Sequence, residues 1–299
     1  MKTRFFSVTY LSLLLSLLVC SPCNATAQTR SSDRVAGRGE TQFLPEFLRA
    51  SGGPVIPIFE GWYPNPAGGF ELSFGYFNVN TEEVIDIPLG PDNFIEPADL
   101  DGRQPSHFLP IPEGDRRYWG AFTIHVPEDW GSRDVVWTLN LDGRSYSVPG
   151  RLTKSHYQIN SWIFPGREST APVLSFEAGG PGVQGPAGVD GEPLEASVGQ
   201  PITLNVWLRR DDTFPDNVRP INLAWFKHQG PGSVTFREPT LALPSEEWAT
   251  SDSGTLASTV VTFAEPGEYV LRALAYNRVS EFEYNCCWTN GFIAVHVFP

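Results

Sequence analysis

The stretch ASTVVTF (257–263), EPG (265–267) and EYVLRALA (268–275) has the pattern of two strands joined by a tight turn. Valine, threonine and aromatic residues favour extended structure, and the Pro-Gly pair between them favours a turn. After an interruption that contains Cys286, Cys287 and Trp288, a closing strand is predicted over 292–297. This C-terminal run therefore predicts β-structure without helices.

The same pattern extends upstream through alternating apolar residues at 202–208 and through AWFKHQGPGSVTF (224–236). Together these motifs resemble the PKD-type and related immunoglobulin-like domains of bacterial exported proteins, which show a Trp strand, a Gly-Pro-Gly turn and a Gly-x-Tyr-x-Leu strand. The resemblance covers roughly residues 194–297 and implies an extracellular binding or spacer module. Independently, Trp225 and Tyr269 are the residues with which a Greek-key sandwich locks its corners.

The region before this domain also alternates between apolar and polar residues. Phe70, Leu72, Phe74 and Tyr76 are separated by small or polar residues, which predicts a strand with one buried face. Further strands are predicted over 122–126, 135–141 and 146–148, with a hairpin turn at Asp142-Gly143. A long Pro/Gly/Asp-rich connection is expected over 88–117. The pattern predicts a β-sandwich of no recognised family, with a barrel as the alternative.

The fold prediction is all-β, with two β-sandwich domains of which the second is immunoglobulin/PKD-like. In chain order we expect a signal peptide (1–27), a flexible leader (28–53), a β-sandwich domain (54–165), a Gly/Pro-rich linker and loop (166–196) and the immunoglobulin/PKD-like domain (197–299).

The N-terminal segment has the three marks of a secretory signal: a basic start, an apolar core over 11–19 and small residues at 25–27. The apolar core is shorter than the roughly 20 residues that a membrane-spanning helix needs. Lipidation at Cys20 or Cys23 is the alternative, although neither is preceded by a small residue. The prediction is a secreted or periplasmic protein with no transmembrane segment after cleavage.

The chain carries 34 acidic against 21 basic residues, a formal charge of −13. This charge disfavours nucleic acid and anionic membrane surfaces as partners, because both attract basic patches. It allows cations, and an extracellular glycan or protein is the expected class of partner. Oligomeric state is left open.

Carboxylates in the long connection form one candidate site. Asp92, Asp99 and Asp101 supply the oxygen ligands that Ca²⁺ prefers, although the EF-hand spacing is absent. The alternative is a solvated acidic loop. No other cofactor is predicted.

Aromatic residues form a second candidate site. Trp62, Tyr63 and Trp119 are candidates for stacking against the sugar rings of a glycan, since aromatic faces accept amphipathic ligands. The alternative is that they fill a sandwich core.

Cys286 and Cys287 are the cysteines that remain after signal cleavage, and they would lie in an oxidising compartment. Their Cα atoms, about 3.8 Å apart across a trans peptide, are closer than an ordinary disulfide requires. Four alternatives stay open: a vicinal disulfide that stiffens the turn, free or separately buried thiols, intermolecular bridging, and redox or soft-metal chemistry.

Catalytic motifs are missing from the sequence: it has no Gly-x-Ser-x-Gly, no His-Glu-x-x-His and no phosphate-binding loop. The hypothesis is a non-enzymatic ligand-binding or structural module at the cell surface or in the periplasm. The alternative is a periplasmic enzyme or redox accessory that uses the acidic loop or the cysteine pair.

Overall fold

The structure, a computed structural model, describes residues 48–111, 117–159, 171–210, 220–243, 253–277 and 288–299. Within these ranges the chain forms strands, turns and three short 3₁₀ helices (Ala98–Leu100, Glu128–Trp130 and Ser155–Tyr157), with no α-helix. The all-β prediction is confirmed. In chain order the strands are β1 (Val55–Pro64), β2 (Phe70–Asn78), β3 (Ile85–Asp86), β4 (Asn93–Glu96), β5 (His107–Phe108), β6 (Tyr118–Val126), β7 (Val135–Leu141), β8 (Arg144–Gly150), β9 (Val173–Ser175), β10 (Val189–Asp190), β11 (Leu194–Ser197), β12 (Ile202–Arg209), β13 (Ile221–Gln229), β14 (Val234–Phe236), β15 (Thr240–Leu243), β16 (Thr255–Phe263), β17 (Gly267–Tyr276) and β18 (Trp288–Phe298).

Strands β1 to β8 build the first sandwich. Its two antiparallel sheets have the strand orders β1-β2-β6 and β4-β7-β8, and β3 pairs with β5 beside them. The inner faces of the two sheets share one hydrophobic core, in which the ring of Phe74 lies 5.3 Å from that of Phe122 and 6.3 Å from that of Trp137. Large aromatic rings supply much of the buried apolar area in this core.

The hairpin between β7 and β8 turns at the predicted dipeptide. Asp142 (φ 52°) and Gly143 (φ 73°) both adopt positive φ, as a two-residue turn between twisted antiparallel strands requires. The strands predicted over 70–76, 122–126, 135–141 and 146–148 are present, so this part of the sequence pattern is confirmed.

The long connection expected over 88–117 contains β4 and β5, which dock it on the sandwich. Asn93 is fully buried, and its amide donates to the carbonyls of Ile87 (2.9 Å) and Pro105 (2.8 Å). Its Oδ1 accepts a hydrogen bond from Trp137 Nε1 at 3.0 Å. The side chain of Asn93 thereby ties the start of the connection and the segment before β5 to the core.

Strands β9 to β18 build the second sandwich. One sheet has the order β14-β16-β12-β9, and the other has the order β10-β18-β17-β13-β15 with β11 also paired to β18. The orders β14-β16-β12-β9 and β18-β17-β13 match D-E-B-A and G-F-C, the two sheets of the immunoglobulin fold, and β15 is an additional strand beside β13. The second sandwich is therefore immunoglobulin-like.

Tyr269 closes the corner between β16 and β17. It is buried, and its hydroxyl donates to the carbonyl of Glu265, four residues upstream, at 2.8 Å. The hydroxyl also accepts the N–H of Gly232 at 3.1 Å. Trp225 on β13 is buried in the same core. The predicted corner role of Tyr269 is confirmed, and Trp225 is buried as predicted.

The segment that we assigned to a Gly/Pro-rich linker and loop supplies three strands to the second sandwich. β9 pairs antiparallel with β12, while β10 and β11 pair parallel with β18. The described part of this segment is thus integrated into both sheets.

Strand β2 is buried on both faces, so the expectation of a single buried face for residues 70–76 is wrong. Ser73 and Glu71, which alternate with the core residues of β2, are as buried as the core residues themselves. The carboxylate of Glu71 accepts hydrogen bonds from Asn65 Nδ2 (2.7 Å) and Thr123 Oγ1 (2.6 Å). Both sandwiches fall within a single compact unit.

Candidate functional site

A bulge in β1 turns the side chain of Glu60 toward the second sandwich. The pairing of β1 with β2 shifts register between Phe59 and Gly61, which leaves Glu60 without a partner directly opposite. Bulges of this kind re-aim a side chain. The carboxylate then lies over Gly75 of β2, where a Cβ atom would come within 2.3 Å of Glu60 Oε1. Glycine at that position makes room for the acid.

Gly120 of β6 is the centre of the contact between the two sandwiches. Its N–H donates to Glu60 Oε2 at 2.8 Å, and its carbonyl accepts Asn290 Nδ2 at 2.8 Å and Arg272 Nη2 at 3.1 Å. Its φ is +49°, and a Cβ atom there would lie 2.3 Å from Trp288 Nε1. Only glycine fits both the conformation and the space. We call Glu60, Gly120, Arg272 and Asn290 the junction.

Arg272 and Asn290 extend the junction into the second sandwich. Arg272 Nε donates to Asn290 Oδ1 at 2.9 Å, and the amide of Asn290 also donates to the carbonyl of Pro186 at 2.8 Å. Both side chains are buried. Burial lowers the pKa of Arg272 to about 10. The nearby side chains of Tyr76, Glu60 and Tyr118 act in the opposite direction and raise it. A buried guanidinium needs such partners because an unpaired buried charge is costly.

Glu60 is the acid of the junction. Burial raises the pKa of its carboxyl above the usual range, and Arg117 is the strongest opposing influence. Its Oε2 accepts hydrogen bonds from Gly120 N–H and from Ser73 Oγ at 2.9 Å. Among the described residues, its Oε1 has no hydrogen-bond partner. The acid is therefore held by one oxygen, near the buried Arg272 and the partly buried Arg117.

A second set of contacts joins the first sandwich to the end of β13. Ser106 N–H donates to the carbonyl of His228 at 2.9 Å, and His228 Nε2 donates to the carbonyl of Arg103 at 2.8 Å. Gln229 Nε2 donates to the carbonyl of Gln104 at 2.7 Å. The loop before β5 is thus hydrogen-bonded to the second sandwich through main-chain groups.

His228 is buried between the sandwiches. Burial lowers its pKa to about 3, and the charges of Arg272 and Arg103 lower it further, against the hydrogen bond to the Arg103 carbonyl. The ring is therefore neutral at ordinary pH. A neutral ring with a fixed tautomer acts as a hydrogen-bond donor in the contact between the sandwiches.

The polar groups of the junction contact one another and main-chain atoms. Arg272, Asn290 and Glu60 each hydrogen-bond to Gly120. This arrangement holds the two β-sandwiches in one orientation. Separating them would leave several buried polar groups without the hydrogen-bond partners that lie across the contact.

The predicted aromatic candidates Trp62 and Tyr63 face opposite sides of β1, because adjacent residues in a strand alternate. Tyr63 is buried toward the second sandwich, and its hydroxyl accepts the N–H of Ala187 at 3.0 Å. Burial raises its pKa above the usual range. Trp62 packs edge-on against Phe70, with ring centres 5.5 Å apart. The two rings do not lie on one surface.

Trp119, the third aromatic candidate, lies beside the junction on β6. It is partly buried, and the guanidinium of Arg117 sits 3.5 Å from the centre of one of its rings. This face of the indole is covered by a cation. The role of these aromatics in glycan binding stays a prediction.

The three acids predicted to bind calcium have different surroundings. Asp92 lines an open cleft of about 670 Å³ between the β7–β8 hairpin and the segment before β4, and no aromatic residue lines that cleft. Asp99 is exposed in a 3₁₀ helix. Asp101 Oδ1 accepts hydrogen bonds from Ile95 N–H (2.9 Å) and Gln104 Nε2 (2.6 Å), which hold the loop. Within the described ranges no group of three or more metal-ligating side chains occurs. Calcium binding stays a prediction.

Cys286 and Cys287 lie outside the described residues, as do residues 1–47 with the predicted signal peptide and most of the leader. The vicinal disulfide therefore stays a prediction. The next residue, Trp288, begins β18 and is buried against Gly120. In the part of the chain that the structure describes, no helix has the length and apolar character needed to span a membrane.

Sequence reasoning missed the junction residues, although two signals were present. Gly75 and Gly120 interrupt strand patterns, and a glycine inside a strand often marks a bulge or a close approach of another chain segment. Arg272 stands within the otherwise apolar run VLRALA. Neither signal identifies which element would cover the strand.

No family model matches the chain, and no curated protein matches it. Among solved structures, the D00-D0 domain of intimin aligns over 82% of this chain and 100% of its own length, with 10% identity and a TM-score of 0.27. Titin domains Z1Z2 in complex with telethonin align over 83% and 98%, with 13% identity and a TM-score of 0.22. Domains 4 and 5 of the S-layer protein SbsC align over 56% of this chain and 66% of that one, with 12% identity and a TM-score of 0.22. These scores are too low to support an argument, so the immunoglobulin-like assignment rests on strand order and on Tyr269.

Proposed function

We propose that the chain is an exported, non-enzymatic ligand-binding or structural module in which two β-sandwiches act as one rigid body. The observation that carries the proposal is the junction, where the carbonyl of Gly120 accepts hydrogen bonds from Arg272 and Asn290 inside a buried contact. Separating the sandwiches would leave these groups without their partners, at a cost of about 1–3 kcal/mol for each buried group. A fixed orientation presents the surfaces of both sandwiches together, which favours recognition by pre-organisation.

The finer assignment of the second sandwich is to the PKD type. It is supported by the Gly-Pro-Gly turn at 230–232, which lies against Tyr269. Gly230 has φ +136°, and a Cβ atom there would lie 2.1 Å from the Tyr269 ring. The Gly-Pro-Gly turn can therefore pack against Tyr269 only with glycine at position 230.

The proposed location is outside the cytoplasm, in the periplasm or secreted. The support is the pattern of basic, apolar and small residues over 1–27. An extracellular glycan or protein is the proposed class of partner, in keeping with the acidic charge of −13.

Rigidity is tested by ¹⁵N relaxation of the exported protein. We expect amides in β1–β8 and amides in β12–β18 to report the same rotational correlation time, and calorimetry to show one unfolding transition. A matched pair of variants locates the cause: Asn290→Ala at the junction should separate the two correlation times, whereas Asn205→Ala on an exposed face should not. Two distinct correlation times in the unaltered protein would contradict the proposal.

Export is tested separately by intact mass of the protein recovered from an expressing host, with and without reductant and alkylation. We expect a chain that begins at Gln28. A product that retains residues 1–27 would contradict the proposed location. The same measurement shows whether Cys286 and Cys287 are joined, through a gain of two hydrogens on reduction.

A further inference from the structure

The sheet β14-β16-β12-β9 has an edge that its own strands leave incomplete. β12 pairs with β16 from Ile202 to Leu208, but it pairs with β9 only from Trp207 to Arg209. On that side of residues 202–206, no other strand pairs with β12 in the described ranges. Alternate residues of an antiparallel strand direct their N–H and C=O groups to opposite sides. About half of the backbone groups in this segment therefore point toward an unpaired edge.

The edge is open because β9 stops early. Ser175 Oγ donates to the carbonyl of Glu177 at 3.0 Å and accepts the N–H of the same residue at 3.1 Å, which forms a local turn. After this turn the chain crosses to the other sheet, where β10 pairs with β18. The crossing leaves a gap between the edges of the two sheets, in the line along which β9 would have continued.

A cleft of about 350 Å³ fills this gap beside the open edge. Apolar side chains line it, among them Phe176, Leu194 and Ile293, and the partly exposed ring of Trp207 forms a wall. Thr203 and Asn205 of the open edge also line it. An extended chain on this edge would thus place every second side chain against apolar surface.

The rim of the cleft is acidic. Glu177 and Glu192 line the cleft and are exposed, and no lysine or arginine lines it. A third acid, Asp190, is engaged by Arg103 in an ion pair at 3.2 Å. Two carboxylates at the rim are therefore available to a basic partner.

The edge also lacks the features that protect edge strands from pairing. Natural edges carry lysine, proline or bulges that discourage the addition of another strand. Residues 202–206 read ITLNV, with β-branched residues and no charge. The pairing of this segment with β16 is regular, without a register shift.

We propose that the edge of β12 at residues 202–206 binds an extended peptide segment of a partner protein, added antiparallel to β12. Its alternate apolar side chains enter the cleft, and its lysine or arginine side chains meet Glu177 and Glu192. Main-chain hydrogen bonds supply affinity in this mode of recognition, and pockets for alternate side chains supply specificity. The inference rests on the proposed function in treating the chain as a binding module.

The test uses the exported protein and an acetylated, amidated nine-residue peptide that alternates valine with lysine. We expect a dissociation constant below about 1 mM by calorimetric titration. Hydrogen exchange should slow by at least about tenfold at alternate amides of residues 202–206 when peptide is bound. Two further peptides carry N-methyl groups, one at every lysine and the other at every valine. Alternate amides of the bound peptide point toward β12, so we expect one of the two peptides to lose binding and the other to keep it.

Charge reversal at the rim provides the matched variants. Glu177→Lys combined with Glu192→Lys should weaken binding by at least about tenfold, because both carboxylates face the basic side chains. Glu195→Lys, an exposed acid of β11 that does not line the cleft, should change binding less than about twofold.

The inference would be overturned if the valine–lysine peptide did not bind, or if a valine–glutamate peptide bound equally well. It would also be overturned if hydrogen exchange at residues 202–206 did not change, or if the double rim variant bound the peptide as tightly as the unaltered protein. A concentration-dependent dimer that protects the same amides would also overturn it, since the occupant would then be a second copy of this chain. None of these results alters the relaxation test of the junction, which is measured without peptide.

Discussion

The outer faces of β2 and β12 have the same sequence pattern and opposite surroundings. On β2, Glu71 and Ser73 alternate with core residues, and on β12 Thr203 and Asn205 do the same. The first pair is buried, with hydrogen-bond partners inside the first sandwich, whereas the second pair is exposed to solvent. A period of two identifies the face that a sheet turns toward its own core, and it does not report what covers the other face.

The two faces also differ in the polar groups that they carry and in the partners of those groups. The face of β1-β2-β6 carries Glu60 and the main-chain groups of Gly120, whose hydrogen bonds include partners in the second sandwich. The face of β12 carries side chains that water or a neighbouring strand residue can satisfy, as Ser258 does for Asn205 at 2.7 Å. Substitutions on the first face should therefore be far more costly than substitutions on the second.

The largest expected effect is that of Gly120→Ala. A Cβ atom would overlap Trp288 Nε1 at 2.3 Å and force a left-handed φ on an L-residue. We expect a loss of about 3 kcal/mol or more in the free energy of unfolding, measured by urea denaturation. Gly143→Ala is the control, because its φ is also positive but nothing lies within 4 Å of the added atom. That control should lose about 1 kcal/mol, and equal losses in the two variants would contradict steric closure at the junction.

Arg272→Met should have a similar or somewhat smaller effect. The substitution removes a donor from the Gly120 carbonyl and a cation from the neighbourhood of buried Glu60. We expect a loss of roughly 3 kcal/mol, as for other buried charges deprived of a partner. Arg103→Met removes an exposed arginine whose ion pair with Asp190 has side chains 44% and 64% exposed, and should cost less than about 1 kcal/mol. If both variants lost the same free energy of unfolding, the burial of Arg272 would not explain how the junction stabilises the protein.

The smallest predicted effect is a pH dependence from His228. The pKa of this ring is about 3 in the folded protein and 6.5 when unfolded, so the unfolded state binds more protons between these values. The contribution of the neutral His228 ring to the free energy of unfolding is therefore fully present above pH 6.5 and is lost as the pH falls toward 3. Acidification from pH 6.5 to about 4.5 should cost roughly 2.5 kcal/mol through this residue.

The measurement is urea denaturation of the unaltered protein and of His228→Gln across that pH range. Glu60 acts with the opposite sign, because its raised pKa makes its contribution to stability decline as pH rises. Subtracting the two pH profiles isolates the histidine, since Glu60 is common to both. Parallel profiles would contradict a buried neutral His228.

Local pattern predicted much of the fold and little of the candidate site. The Asp142-Gly143 turn, the alternating strands and Tyr269 were predictable because each depends on residues close together in the chain. The junction depends on Gly120 and Asn290, which lie 170 residues apart. Two bulges, at Glu60 and opposite Gly75, create it. A bulge moves a side chain to the other face of a strand, so pattern counting misplaces the residues that it re-aims.

The sequence by itself determined that this chain is all-β, that its C-terminal third has the strand and corner residues of an immunoglobulin-like sandwich, and that its charge is acidic. Only the tertiary structure decided that the second sandwich covers Gly120 on one outer sheet face while the edge of β12 stays open. The physical reason is range. Backbone conformation and the inner face of a strand follow from neighbouring residues, whereas the cover over an outer face depends on partners brought in by distant segments.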